Sequence, residues 1–134
     1  MLWNMLLCLV VLGVVGTSAH AQFAHAQFAL PVASRPPSGE AVFHSQCGTC
    51  HTLSAQEPMR QGPPLGGVFG RKAGGAPGFR YSAGFADADF EWDAERLDAW
   101  LTRPQAVIPG AVMGYRQGNP AIRRAVIDWL KEQH

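Results

Sequence analysis

His44-Ser-Gln-Cys-Gly-Thr-Cys-His-Thr-Leu53, HSQCGTCHTL, puts two thiols, Cys47 and Cys50, and one imidazole, His51, within five residues. Three chemistries use that spacing: a redox dithiol, half of a zinc site, and covalent attachment of a haem. The rest of the chain has to choose among them.

The chain has 134 residues and a formal charge of +1. That is one domain, with no basic excess to suggest nucleic acid as a partner. The N-terminal stretch carries an apolar run, Leu6 to Val15, then small residues and an A-x-A-like site at Ala19-His20-Ala21. This predicts a secretory signal over residues 1–26, cut after Ala21 or after Ala26 because AHAQF occurs twice in tandem. Its n-region has no Lys or Arg. The alternative is an uncleaved anchor, although the apolar run is shorter than the ~20 residues of a spanning helix. A Pro/Ser-rich linker over 27–37 follows, and the folded domain is expected over 38–134. Once the signal and its Cys8 are removed, Cys47 and Cys50 are the only thiols.

Inside the domain Ser38 is placed to cap a helix running to Cys47, with Ala41, Val42 and Phe43 inward. Gly and Pro then punctuate the chain from Thr52 to Phe79, and so long an irregular stretch usually wraps something functional. Asp93 caps a helix with Leu97, Trp100 and Leu101 on one face, ending before Pro104. The stretch TRPQAVIPGAVMGYRQGN reads as irregular. Asn119-Pro120 opens a last helix with Ile122, Ala125, Val126, Trp129 and Leu130 on one face. No β-type alternation is present, so the fold class is all-α, with short helices and long loops. Such loops would leave backbone polar groups unpaired unless they pack on something, and a large planar apolar cofactor would serve.

A thioredoxin-like dithiol needs a βαβ setting that is missing. A structural zinc site needs four ligands, and His44 and His134 are the only other histidines in the domain. C-x-x-C-H as a haem attachment motif fits best. Each thiol would add across a vinyl group, and the adjacent imidazole would meet the iron. Met113, between Pro109-Gly110 and Gly114, is the candidate for a second axial ligand.

These residues resemble class I cytochrome c, and closely its mitochondrial-type branch. The likeness runs from Gly39 to Lys131 through CGTCHTL, GPPLGGVFGRKAGGAPGFRYS, Trp92, RPQAVIPGAVM and DWLKE. The resemblance implies thioethers at Cys47 and Cys50, a proximal ligand at His51 and a distal sulfur ligand at Met113. It implies that the Pro63 carbonyl accepts the hydrogen bond from the ligand imidazole, which fixes the ring. Arg71, Tyr81 and Trp92 match residues that hold the haem propionates, and Gly39 and Phe43 the crossing of the first and last helices, against Val126 and Trp129.

Three departures stand on the distal side. Ala111 replaces a threonine, Trp100 a tyrosine, and Phe85 a polar asparagine, which together predict a drier cleft. Gln46, Gln105, Ala106 and Val112 stand where the family commonly carries docking lysines. Arg60, Arg103 and Arg116 supply some remaining charge, while Asp87, Asp89, Glu91, Asp93, Glu95 and Asp98 gather in one stretch with Arg96. The acidic stretch reads first as a solvated face; the sharper alternative is partner binding less dependent on charge steering. The resemblance implies a monomeric, periplasmic carrier of one haem c. It would pass single electrons from a quinol-cytochrome c reductase type donor to an oxidase type acceptor, and it is not an enzyme. The alternatives are a membrane-anchored relay of a larger complex, if the N-terminal segment is retained, and a peroxidase or gas sensor, if Met113 leaves the iron easily.

Overall fold

The computed structural model describes residues 37–134, so the expected signal and almost all of the linker lie outside the described residues. Ser38 Oγ accepts from the Ala41 amide at 3.2 Å, and this cap starts α1, Gly39–Val42. The helix does not continue as a plain α-helix. Over Phe43–Cys47 it widens to a π turn, closed by Gly48 N–H to Phe43 O at 2.7 Å. Val42 and Phe43 are buried as expected, whereas Ala41 faces solvent.

Asp93 accepts from Arg96 N at 2.7 Å and caps α2, Ala94–Thr102, which buries Leu97, Trp100 and Leu101. A short α3, Pro104–Val107, follows where the sequence reads as irregular. The proline that stops α2 also starts α3, because its fixed φ and missing N–H suit a first helical turn. A single 3₁₀ turn, Ala83–Asp87, is likewise absent from the sequence reading, being too short to carry periodicity. Among the described residues there is no strand, only an isolated bridge between Lys72 and Glu91.

Asn119 Oδ1 accepts from Ala121 N at 2.9 Å and Pro120 opens α4, Pro120–Lys131. This helix packs against both α1 and α2, so its buried arc is wider than one stripe. Val126, Ile127 and Leu130 are buried, and Ile122, Ala125 and Trp129 are half-buried, which adds Ile127 to the expected face. Where α1 crosses α4, a Cβ on Gly39 would stand 2.2 Å from Ala125 O and 2.3 Å from Trp129 Cβ, so only glycine fits. The Phe43 and Trp129 rings meet at 5.1 Å beside that crossing.

Arg123, 9% exposed, is the charged residue the apolar pattern hides. Its Nε and Nη2 donate to the Asp98 carboxylate at 2.7 and 3.3 Å, and Nη1 donates to Gln117 O at 2.9 Å. The pair ties the start of α4 to α2, and a fork of this kind is what makes burial of a guanidinium tolerable. The acidic stretch is also less isolated than the sequence implies. Besides Arg96 on Asp93, Lys72 reaches Asp89 at 2.9 Å and Arg123 takes Asp98.

Candidate cofactor-binding cleft

The CGTCH loop is shaped by its own backbone. Cys50 N and His51 N both donate to Cys47 O, at 3.0 and 2.9 Å, which folds the loop into a turn at the end of the π turn. The segment after it runs back alongside. Gly62 N donates to Cys50 O at 2.8 Å, Leu65 N to Thr52 O at 2.8 Å and Gly66 N to Leu53 O at 2.9 Å. This brings the Pro63 carbonyl to 2.7 Å from His51 Nδ1. A carbonyl only accepts, so Nδ1 carries the proton and Nε2 keeps its lone pair. Burial holds the His51 pKa below the usual imidazole value, with the Pro63 bond pulling weakly the other way, so the ring is neutral at neutral pH. Gly62 lies flat against that ring: a Cβ there would be 2.2 Å from Cε1.

Cys47 and Cys50 are unpaired thiols. Burial first, and then the neighbouring Cys50, push the Cys47 thiol up to about 11. A redox dithiol works by a lowered pKa, so this pair is not poised for exchange. The zinc alternative also lacks its ligands. Among the described residues no three His, Cys, Asp or Glu side chains gather to hold a metal ion.

Met113 comes from the opposite end of the sequence. Pro109-Gly110 makes a type II turn, with Gly110 at φ 82° and Ala111 N donating to Ile108 O at 3.1 Å. Beyond it Gln105 Nε2 donates to the carbonyls of Ala111, at 3.2 Å, and Met113, at 2.6 Å. The Trp100 indole N–H donates to Met113 Sδ at 3.2 Å. This replaces the expected tyrosine contact with a donor that cannot also accept. Trp100 packs edge-on to Phe85 and Trp92, with centroids at 5.8 and 5.3 Å, so this side of the cleft is aromatic.

Cys47, Cys50, His51, Pro63, Arg71, Tyr81, Trp92 and Met113 all line one cavity of about 350 Å³. The size is that of a small-molecule or cofactor site. Arg71 is not a solvated loop charge: Nη2 and Nη1 donate to the carbonyls of Pro64, at 2.8 Å, and Gly66, at 3.2 Å. Burial lowers its pKa and Tyr81 opposes that, but the guanidinium stays charged. Tyr81 Oη accepts from Ala76 N at 3.2 Å, which fixes its ring at the cavity edge.

Several lining residues are missing from the sequence reading, and one of them carries a polar signal of its own. Ser82 Oγ is buried without a hydrogen-bond partner, a state that costs roughly 1–3 kcal/mol unless something polar meets it. No spacing in the sequence marks it, because a serine after a tyrosine is unremarkable until burial is known. The orphaned hydroxyl, the guanidinium beside it on the cavity lining, the neutral imidazole with Nε2 unspent and the glycine cradle under its ring all fit a haem with anionic side groups.

Fold and cleft together define the class: an all-helical domain whose short helices and long loops enclose one cofactor-sized cavity. No protein-family model matches the chain. Cytochrome c of Ulva intestinalis is 37% identical over 98 residues, spanning 72% of this chain and 88% of that protein. Cytochrome c2 of Rhodomicrobium vannielii is 40% identical over 103 residues, 76% of this chain and 82% of that one. Among solved structures, cytochrome cH from Methylobacterium extorquens matches with a TM-score of 0.64 and 34% identity, covering 71% of this chain and 95% of its own. The chain belongs to the class I cytochrome c family. It carries one covalently attached c-type haem with its iron, and it is an electron carrier rather than an enzyme.

Proposed function

We propose that this chain is an exported one-electron carrier of the periplasm, with residues 1–26 as the export signal and 38–134 as the haem domain. Cys47 and Cys50 would hold the haem through two thioethers, and His51 Nε2 and Met113 Sδ would bind its iron. The observation that carries this reading is the 2.7 Å bond from His51 Nδ1 to Pro63 O, which leaves Nε2 as the one nitrogen available to the cavity that Met113 also lines. Arg71, Tyr81, Trp92 and Ser82 meet the propionates, one cation and several donors offsetting the desolvation of two carboxylates.

When bound, the haem supplies a ferrous/ferric couple. The chain's own residues set how that couple behaves. Pro63 holds the imidazole in one tautomer and orientation. Trp100 takes a share of the sulfur's electron density. Phe85, Trp92 and Trp100 keep water out of the distal side, and methionine ligation with burial raises the reduction potential. Such a potential suits transfer from a quinol-oxidising complex to a terminal oxidase or a comparable acceptor. Near-zero net charge and the neutral side chains of Gln46, Gln105, Ala106 and Val112 favour docking with little charge steering. A stopped-flow salt series with a membrane oxidase then gives a shallow rate dependence.

The deciding experiment is a haem stain of a denaturing gel, run on soluble and membrane fractions of cells competent in c-type haem attachment. Stain on a band shortened by the signal, in the soluble fraction, is expected. Stain on full-length protein in the membrane would replace the mobile carrier with a tethered relay. An unstained band would overturn the assignment of Cys47 and Cys50.

A further inference from the structure

The segment that carries Met113 packs against the core through Ala111, Met113 and Tyr115, and is open between them. Val112 is 84% exposed, and a Cβ on Gly114 would meet nothing within 4 Å. Packing at alternate residues does not by itself fix the main chain of a loop whose ligand must not move. What holds the segment is hydrogen bonding at its two ends. On the near side Gln105 takes the Ala111 and Met113 carbonyls, and Arg116 Nη2 donates to Gln105 Oε1 at 3.2 Å. On the far side the chain is tied to the opposite lip of the cleft. Tyr115 Oη donates to Gln46 Oε1 at 2.5 Å, and Gln117 Nε2 donates to the same oxygen at 2.9 Å and to Tyr115 Oη at 3.2 Å. Gln117 is itself fixed, its amide donating to Leu101 O at 2.8 Å and its Oε1 accepting from Asn119 N at 2.9 Å.

Gln46 is the residue before Cys47, and Tyr115 is two residues after Met113. These bonds therefore join the lip that bears the attachment thiol to the lip that bears the methionine. Gln46 and Tyr115 both line the mouth of the cavity. All three participating side-chain atoms are partly shielded, and a hydrogen bond out of bulk water is harder to replace by solvent.

We propose that Gln46, Tyr115 and Gln117 form a strap across the mouth of the cleft that keeps Met113 seated, which makes Gln46 and Tyr115 positioning residues for the axial sulfur. The proposal rests on Met113 being the distal ligand. It also gives Gln46 an inward role, at a position the sequence comparison treats only as a neutral place on the docking face. Removing the strap leaves Met113 held by Gln105 and Trp100 alone, so the sulfur leaves the iron more often while the fold stays intact.

The test uses the ferric holoprotein. Cyanide enters only when the sulfur has left, so its association rate reads the seating of Met113, and the sulfur–iron charge-transfer absorption reads ligation itself. Tyr115→Phe keeps the ring and removes the hydroxyl; Gln46→Ala removes the shared acceptor. Each is expected to speed cyanide association about five-fold, the weight of one ordinary hydrogen bond. The double variant is expected to fall well short of the product of the two single effects, because both changes break the Tyr115–Gln46 bond. Hydrogen exchange of the 113–117 amides rises alongside, while exchange in α4 does not. An unchanged rate in both single variants, effects that simply add in the double variant, or exchange that rises throughout the protein overturns the strap. A wild-type protein without the charge-transfer absorption that binds cyanide at once overturns Met113 ligation, and the strap with it.

Discussion

The two sides of the cleft hold His51 and Met113 by different means. His51 is held by main chain: the carbonyl of Pro63, the amide ladder between 50–53 and 62–66, and a glycine with no room for a side chain. Met113 is held by side chains: the Trp100 indole at the sulfur, Gln105 at two carbonyls, and Tyr115 with Gln46 across the mouth. A main-chain acceptor is present whatever residue supplies it. A side-chain donor is present only while its residue is. The His51 side is therefore insensitive to most substitutions and intolerant of any that add bulk, and the Met113 side can be adjusted one side chain at a time. The departures from the family pattern at Phe85, Trp100 and Ala111 all fall on the Met113 side.

The largest expected effect breaks the main-chain side by bulk. Gly62→Ala places a carbon 2.2 Å from the His51 ring, and overpacking of that order costs about 3 kcal/mol. A urea titration of the holoprotein, with the yield of stained protein, measures it. A wild-type midpoint would show that the histidine side is as adjustable as the methionine side.

Next comes Trp100→Phe, which keeps an aromatic ring and removes the donor to sulfur. A sulfur relieved of that hydrogen bond is a better electron donor and favours ferric iron, so the potential falls. One hydrogen bond of about 1 kcal/mol corresponds to about 40 mV for a single electron. Spectroelectrochemical titration reads the change, and a potential that rises would contradict the contact as a donor–acceptor bond.

Gln105→Ala is smaller in stability, about 1 kcal/mol, the weight of an ordinary hydrogen bond. Its signature is local: faster hydrogen exchange at 111–114 with α2 and α4 unchanged. The smallest effect is expected from Pro63→Ala. The carbonyl that His51 uses survives, so the cost is limited to the freedom gained by the unfolded chain, roughly 0.5–1 kcal/mol. A potential shift as large as that of Trp100→Phe would mean that the proline ring, and not its carbonyl, fixes the imidazole.

Much of this arrangement is legible in the sequence, and what is legible follows from local rules. Ser38, Asp93 and Asn119 each cap the helix they are expected to cap, because a cap depends only on the next three residues. The eight site residues expected from the sequence all line one cavity. Contacts made across sequence distance are not legible. Arg123 carries no local signal, and only the packing of α2 brings Asp98 to it. Ser82 has no feature except its burial. Gln46 reads as a docking position, although Tyr115, 69 residues away, claims its oxygen. The missed α3 is a different case, since one proline ends a helix and begins another, and a breaker in the sequence does not say which.

The π turn at Phe43–Cys47 sets the angular phase of the attachment site. In an α-helix each residue advances the chain by about 100° around the axis, and a turn closed from Phe43 O to Gly48 N takes in one residue more than an α turn does. At that phase Cys47 lines the same cavity as Cys50 and His51. Losing a single residue between 43 and 47 would restore the ordinary pitch and swing the thiol away from its partner by more than a quarter of a revolution. Along this helix length is therefore a stricter requirement than composition, and the spacing ahead of the first cysteine belongs to the attachment motif as much as the two residues between the cysteines do.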